Sequence, residues 1–205
     1  MSVLYQYLTG TRIDLRIEQN QIVMKRNQFL VGMLAFAPLV TVAERITKKL
    51  RSQKPFQVDS GKGRFDEVVK FRGVHPNDLK ISSKDTEGEL SVFEFTGLDK
   101  IGPQLHMHFN QDEIFYVVDG EYRFQVGEET KVLKAGDTIF LPRNIQHTWL
   151  QLTDKGKLVY FLQPAGKMEE FFNYMNALKS KPTDEELDRI HKEHGMKVLG
   201  PPLTL

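Results

Sequence analysis

The clearest alternation of apolar and polar positions lies between Glu89 and Leu162. Short runs rich in Val, Phe, Tyr and Ile cover Leu90–Phe95, Ile114–Val118, Glu121–Val126, Thr138–Leu141 and Leu158–Leu162. Turn signals separate them at Asp119-Gly120, Gly127-Glu128 and Ala135-Gly136-Asp137. Many short strands at this spacing predict a sandwich or a closed barrel. Beyond residue 165 the period changes. Met168, Phe171, Phe172, Met175 and Leu178 fall on one helical face. After Pro182, Thr183 and Glu186 have the spacing of a capping box, Leu187 and Ile190 face inward, and Gly195 stops the helix. The tail Leu199–Leu203 reads as extended. Residues 44–80 are mixed and polar, an approach segment with an edge strand over Glu67–Phe71. His75, just before Pro76, reads as a solvated turn residue.

Arg12–Ile17 alternates as a half-exposed strand would, with no evident partner. Residues 24–43 have a different layout. Met24-Lys25-Arg26 is basic, Phe29–Ala43 carries no charge, and Thr41-Val42-Ala43 ends the run with small or short side chains. That is the pattern of a secretory signal, and the stretch Arg26–Leu30 resembles a degraded twin-arginine signal. The run is short for a membrane span and contains Pro38. The reading expects Met24 as the true start and a periplasmic or secreted protein without stable membrane anchoring in its mature form. The alternative is a cytoplasmic protein in which this segment packs on the barrel. Loss of residues 1–43 would move the net charge from +1 to about −1.

Composition narrows the chemistry. The chain has 205 residues, 40% of them apolar, enough for one domain with a real core. Its 28 basic and 27 acidic residues leave no basic stripe, so nucleic acid is not an expected partner. With no cysteine, thiolate metal sites, disulfides and cysteine nucleophiles are excluded. Any metal must be held by imidazole and carboxylate.

The histidine spacing supplies such a set. His106 and His108 are two apart, so on a strand both side chains leave the same face. Glu113 opens the run to Val118, and His147 follows the turn Pro142-Arg143-Asn144. Each can approach the same point from another wall. Three imidazoles and a carboxylate suit one divalent ion such as Fe, Mn, Ni, Cu, Co or Zn, with positions left open for substrate. Strand parity places Phe115 with Glu113, Trp149 with His147, and Gln104 with His106. These three are the candidate substrate-binding residues, and Gln104 is also the favoured polar support for a ligand. Val117 shares the inward parity. Tyr116 faces outward. His191 and His194 are read as complementing the negative end of their helix rather than as ligands.

With these residues in view, a family resemblance is evident. His106-Met107-His108, four residues, Glu113, six residues, Gly120 resembles the closing part of the first cupin motif. Gly136, five residues, Pro142, then His147 resembles the second. Over residues 84–205 the chain is similar to small single-domain, quercetin-dioxygenase-like cupins. Three positions depart from the pattern: Lys100 and Asn144 stand where glycines are usual, and Gln151 where Asn is usual. None is a ligand, and Asn tolerates a left-handed turn.

The resemblance implies an all-β, double-stranded β-helix (jelly-roll) barrel over 84–165. Edge strands within 44–83 would precede it, and two short C-terminal helices with a tail over 166–205 would follow. It also implies a homodimer, and a mononuclear metal oxygenase acting on a small organic substrate, with Glu113 as both ligand and proton acceptor. The alternatives are a barrel that binds a ligand or metal without turnover, and a metal-dependent isomerase or lyase acting on a sugar-like substrate. The inward positions favour an apolar, planar ligand.

Overall fold

A computed structural model of the chain describes residues 51, 52 and 54–205. The strand expected at 12–17 and the signal-like segment 24–43 lie outside the described residues. No described helix is long and apolar enough to cross a membrane.

The strands form two antiparallel sheets. Their bounds are β1 Lys70–Phe71, β2 His75–Ile81, β3 Ser91–Gly97, β4 Gln104–His108, β5 Asp112–Asp119, β6 Glu121–Val126, β7 Glu129–Lys134, β8 Thr138–Leu141, β9 His147–Gln151, β10 Gly156–Gln163 and β11 Met196–Pro202. One sheet runs β1-β2-β3-β10-β5-β8 and the other β11-β4-β9-β6-β7. Helices α1 (Met168–Ala177) and α2 (Asp184–Glu193) precede β11.

Register explains the core. Across β10 and β5, Leu158 faces Val117, Tyr160 faces Phe115 and Leu162 faces Glu113. Across β10 and β3, Leu158 faces Phe95 and Tyr160 faces Phe93. In the second sheet Phe124 faces Trp149. The period of two sends all these side chains to the space between the sheets. There the apolar ones form one cluster with Met168 and Phe171 of α1, Ile190 of α2 and Met196 of β11. Burying each large apolar side chain contributes about 1.5–3 kcal/mol. Tyr116, on the opposite parity, is exposed.

The turns follow the expected chemistry. Gly120 joins β5 to β6 at φ 87°, and a Cβ there would meet Thr153 Oγ1 at 2.6 Å, so both backbone and space require glycine. Asn144 adopts φ 63°, keeping the left-handed turn that a glycine would usually make. The capping box of α2 is complete: Glu186 N donates to Thr183 Oγ1 at 3.2 Å and Thr183 N to Glu186 Oε2 at 2.9 Å.

Several elements differ from the sequence reading. The edge strand expected over Glu67–Phe71 is reduced to Lys70–Phe71. His75 is buried, not solvated. It opens β2, and its Nδ1 accepts from Leu98 N at 3.1 Å. Pro76 suggests a turn because it lacks an N–H, yet it pairs only with the two-residue β1 at the sheet margin, where the missing donor matters little. Strand β7 gives no clear sequence signal because ETKVLK is mostly exposed and charged, which suits an edge strand that must not recruit another chain. The extended tail is β11, paired with β4.

Candidate metal centre

The two sheets bring the four expected ligands together. His106 and His108 leave the inner face of β4, and His147 at the start of β9 pairs directly with His106. Glu113 comes from β5 in the opposite sheet. One potential ligand atom from each residue falls within 4.8 Å of all the others. Glu113 Oε2 lies 3.2 Å from His147 Nε2 and 3.9 Å from His108 Nε2. The ring centroids of His106 and His147 are 4.6 Å apart.

Each imidazole is held through its other nitrogen. His106 Nδ1 donates to the Gln104 carbonyl at 2.8 Å and His147 Nδ1 to the Ile145 carbonyl at 3.0 Å, because a carbonyl can only accept. For His108 the partner is Gln111 Oε1 at 3.2 Å. Gln111 Nε2 donates to the Ala165 carbonyl at 2.6 Å, which fixes the amide so that its oxygen faces His108. All three protons therefore sit on Nδ1, and all three Nε2 atoms carry lone pairs. His108 Nε2 and His147 Nε2 are buried with no hydrogen-bond partner. Lone pairs on buried atoms are costly unless something accepts them. A divalent cation does so, and it fits this set of three neutral imidazoles and one carboxylate.

The electrostatics agree. His106 keeps some accessible surface yet is ringed by protein. Burial holds its pKa well below the usual value, and repulsion from His147 and His108 adds to this. Burial also lowers that of His108, against the pull of Glu113. Neutral imidazoles are the metal-binding form.

Two supports escape sequence reasoning. Gln111 stands in the sequence only as part of a polar step, yet it sets the His108 tautomer. Gln104, the favoured polar support, acts on His106 through its main-chain carbonyl instead, and its side chain lines the cavity. The second support is the Asp112–Arg143 pair. Arg143 Nε donates to Asp112 Oδ1 at 3.1 Å and Nη2 to Oδ2 at 2.6 Å, while Arg143 N also donates to Oδ1 at 2.9 Å. With Asn144 N bonded to the His108 carbonyl at 2.8 Å, this ties the turn before His147 to both β4 and β5. Asp112 precedes a ligand and Arg143 follows Pro142, but neither carries a motif of its own, so no pattern in the sequence singles out the pair.

The ligands open onto a cavity of about 770 Å³. His106, His108 and Glu113 line it, as do the three candidate substrate residues Gln104, Phe115 and Trp149. Val117 does not; it is fully buried in the core. The sequence reading does not find Tyr160, which stacks on Phe115 at 5.2 Å and donates to Asn77 Oδ1 at 2.8 Å. Nor does it find the role of the helices, whose apolar faces wall the cavity through Met168, Phe171, Met175 and Leu187. His191 lines it too. Its Nδ1 donates to the Leu187 carbonyl at 2.7 Å, and burial lowers its pKa.

A cupin-domain family model matches residues 99–162, the stretch from before β4 into β10 that holds all four ligands. Among solved structures, the chain is similar to an RmlC-like cupin from Shewanella frigidimarina, with 22% identity and a TM-score of 0.48, over 58% of this chain and 99% of that one. KdgF from Halomonas sp. is 16% identical with a TM-score of 0.46, over 54% and 94%. A predicted oxalate decarboxylase from Thermotoga maritima is 17% identical with a TM-score of 0.47, over 54% and 99%. No curated protein matches the sequence. The matched stretch 99–162 is a cupin domain.

Proposed function

We propose that this protein is a mononuclear metal enzyme of the dioxygenase-like kind, acting on a small planar organic substrate with an enol or phenol oxygen. The observation that carries the reading is the pair of buried, unpartnered Nε2 atoms on His108 and His147, beside Glu113 and open to a large cavity through His106 and His108. A redox-active divalent ion in this site would supply dioxygen chemistry, and a redox-inert one Lewis acidity. Phe115, Trp149 and Tyr160 offer flat apolar surface to a ring and exclude water from the ligand end. Glu113 is the carboxylate nearest the reacting end and accepts the proton of the substrate hydroxyl.

A second reading has one observation in its favour. Lys70, Arg72, Lys179 and Lys181 line the same cavity, so it is more polar than the inward strand positions alone suggest. Isomerase or lyase action on a sugar-like substrate draws on such groups.

The test is elemental analysis of the purified protein and of His147→Ala, followed by oxygen-electrode assays on a panel of phenols and diketones. The reading expects about one equivalent of metal, lost in the variant, and oxygen uptake dependent on a panel member. Full metal occupancy with no oxygen uptake across the panel overturns the oxygenase assignment.

A further inference from the structure

The cavity lining is sorted by depth. Its buried walls are aromatic: Phe95, Phe115, Trp149 and Tyr160. At the mouth the lining is exposed and basic, from two separate segments. The β1–β2 hairpin supplies Lys70 from β1 and Arg72 from its turn, and the α1–α2 connection supplies Lys179 and Lys181. Asp184 is the one carboxylate of the lining besides Glu113. It sits in the first turn of α2, where the helix N-terminus already favours its charge.

None of the four cations forms an ion pair among the described residues, although the chain has nearly as many acidic residues as basic ones. Arg72 lies against a ring, with its guanidinium carbon 5.6 Å from the Phe71 centroid. The two basic segments are also held together. Lys70 N donates to Asn176 Oδ1 at 3.0 Å, and Asn176 Nδ2 donates to the Val68 carbonyl at 3.2 Å. The cations thus sit on a tied frame. The lining also includes Asn77, whose Nδ2 is buried without an acceptor while its Oδ1 is taken by Tyr160. Several unpaired cations gathered on one cavity mouth suit a ligand rich in acceptor oxygens.

We infer that the ligand is an organic carboxylate: an oxygen-bearing apolar ring lies at the metal end, and its acid group is held at the mouth by Arg72, Lys179 and Lys181. This deepens the proposed function and rests on it for the placement of the ring. It also gives the mouth a task that the apolar, planar ligand of the sequence reading leaves unassigned.

The test is calorimetric titration of the metal-loaded full chain with 3,4-dihydroxycinnamate and with its methyl ester. The two share the catechol and differ in the charge. The acid is expected to bind about tenfold more tightly at low salt, the factor that one charge-assisted contact of about 1.4 kcal/mol supplies. That advantage should shrink at about 0.5 M salt. Lys179→Gln/Lys181→Gln should remove most of it and leave metal content and ester affinity unchanged. Lys54→Gln/Lys155→Gln, which removes the same charge away from the cavity, should preserve it. Equal binding of acid and ester by the wild type, or a preference that survives the mouth variant, overturns the assignment. Loss of the preference in the distant control as well reduces it to net charge and also overturns it. Binding of neither probe strikes instead at the proposed function beneath it.

Discussion

Gln111 offers a sharp test of how the site is held. Its Oε1 fixes the His108 proton on Nδ1, and its Nε2 satisfies the Ala165 carbonyl. Gln111→Leu keeps roughly the volume and removes both. His108 can then carry its proton on Nε2, where it blocks the metal. Partners of this kind are worth about 10–100-fold in metal affinity, or about 1.4–2.7 kcal/mol. Leaving the buried Ala165 carbonyl unpaired costs about 1–3 kcal/mol of folding stability, a fall in Tm of about 2–12 °C for a chain of this size. Gln111→Glu separates the two effects. Its carboxylate still accepts from His108 but has no proton for Ala165. The glutamate variant should therefore lose stability while holding the metal within a few-fold of wild type. Competition with a chromophoric chelator measures affinity, and thermal melts of the metal-free proteins measure stability. Wild-type affinity in Gln111→Leu would refute the tautomer argument.

Three further outcomes follow from the same contacts. The Arg143 hydrogen bonds hold the Asp112 carboxyl below its ordinary value, so the pair stabilises the fold above about pH 4 and the benefit fades as pH falls through the depressed folded-state value. Asp112→Asn should lower Tm at pH 7 with the gap closing towards pH 3, and a pH-independent gap would contradict this. At Gly102 a Cβ would stand 1.7 Å from the Trp149 carbonyl oxygen, a backbone atom that cannot swing away, so Gly102→Ala should lower the yield of folded protein or cost more than about 3 kcal/mol in a denaturant titration. Thr183→Ala removes the cap of α2 and should cost about 1 kcal/mol by thermal melt, with metal content unchanged.

The strands with clear alternation, the helices with a one-sided apolar face and the ligand set were all legible along the chain. Each is encoded at short range: a period of two, a period near 3.6, and the HxH spacing that puts two imidazoles on one face of a strand. Of the two helices, α2 announces even its cap. Other features have no local period and took shape only on folding. His75 is buried although it precedes a proline, because β1 and β3 flank its strand. β7 is a strand because β6 pairs with it, despite its charged face. Gln111 matters because Ala165, far along the chain, fixes its amide. The basic mouth exists because the β1–β2 hairpin and the α1–α2 connection, more than a hundred residues apart, meet at one cavity. Contacts of that kind depend on chain folding that closes long loops, and no window along the sequence contains both of their ends.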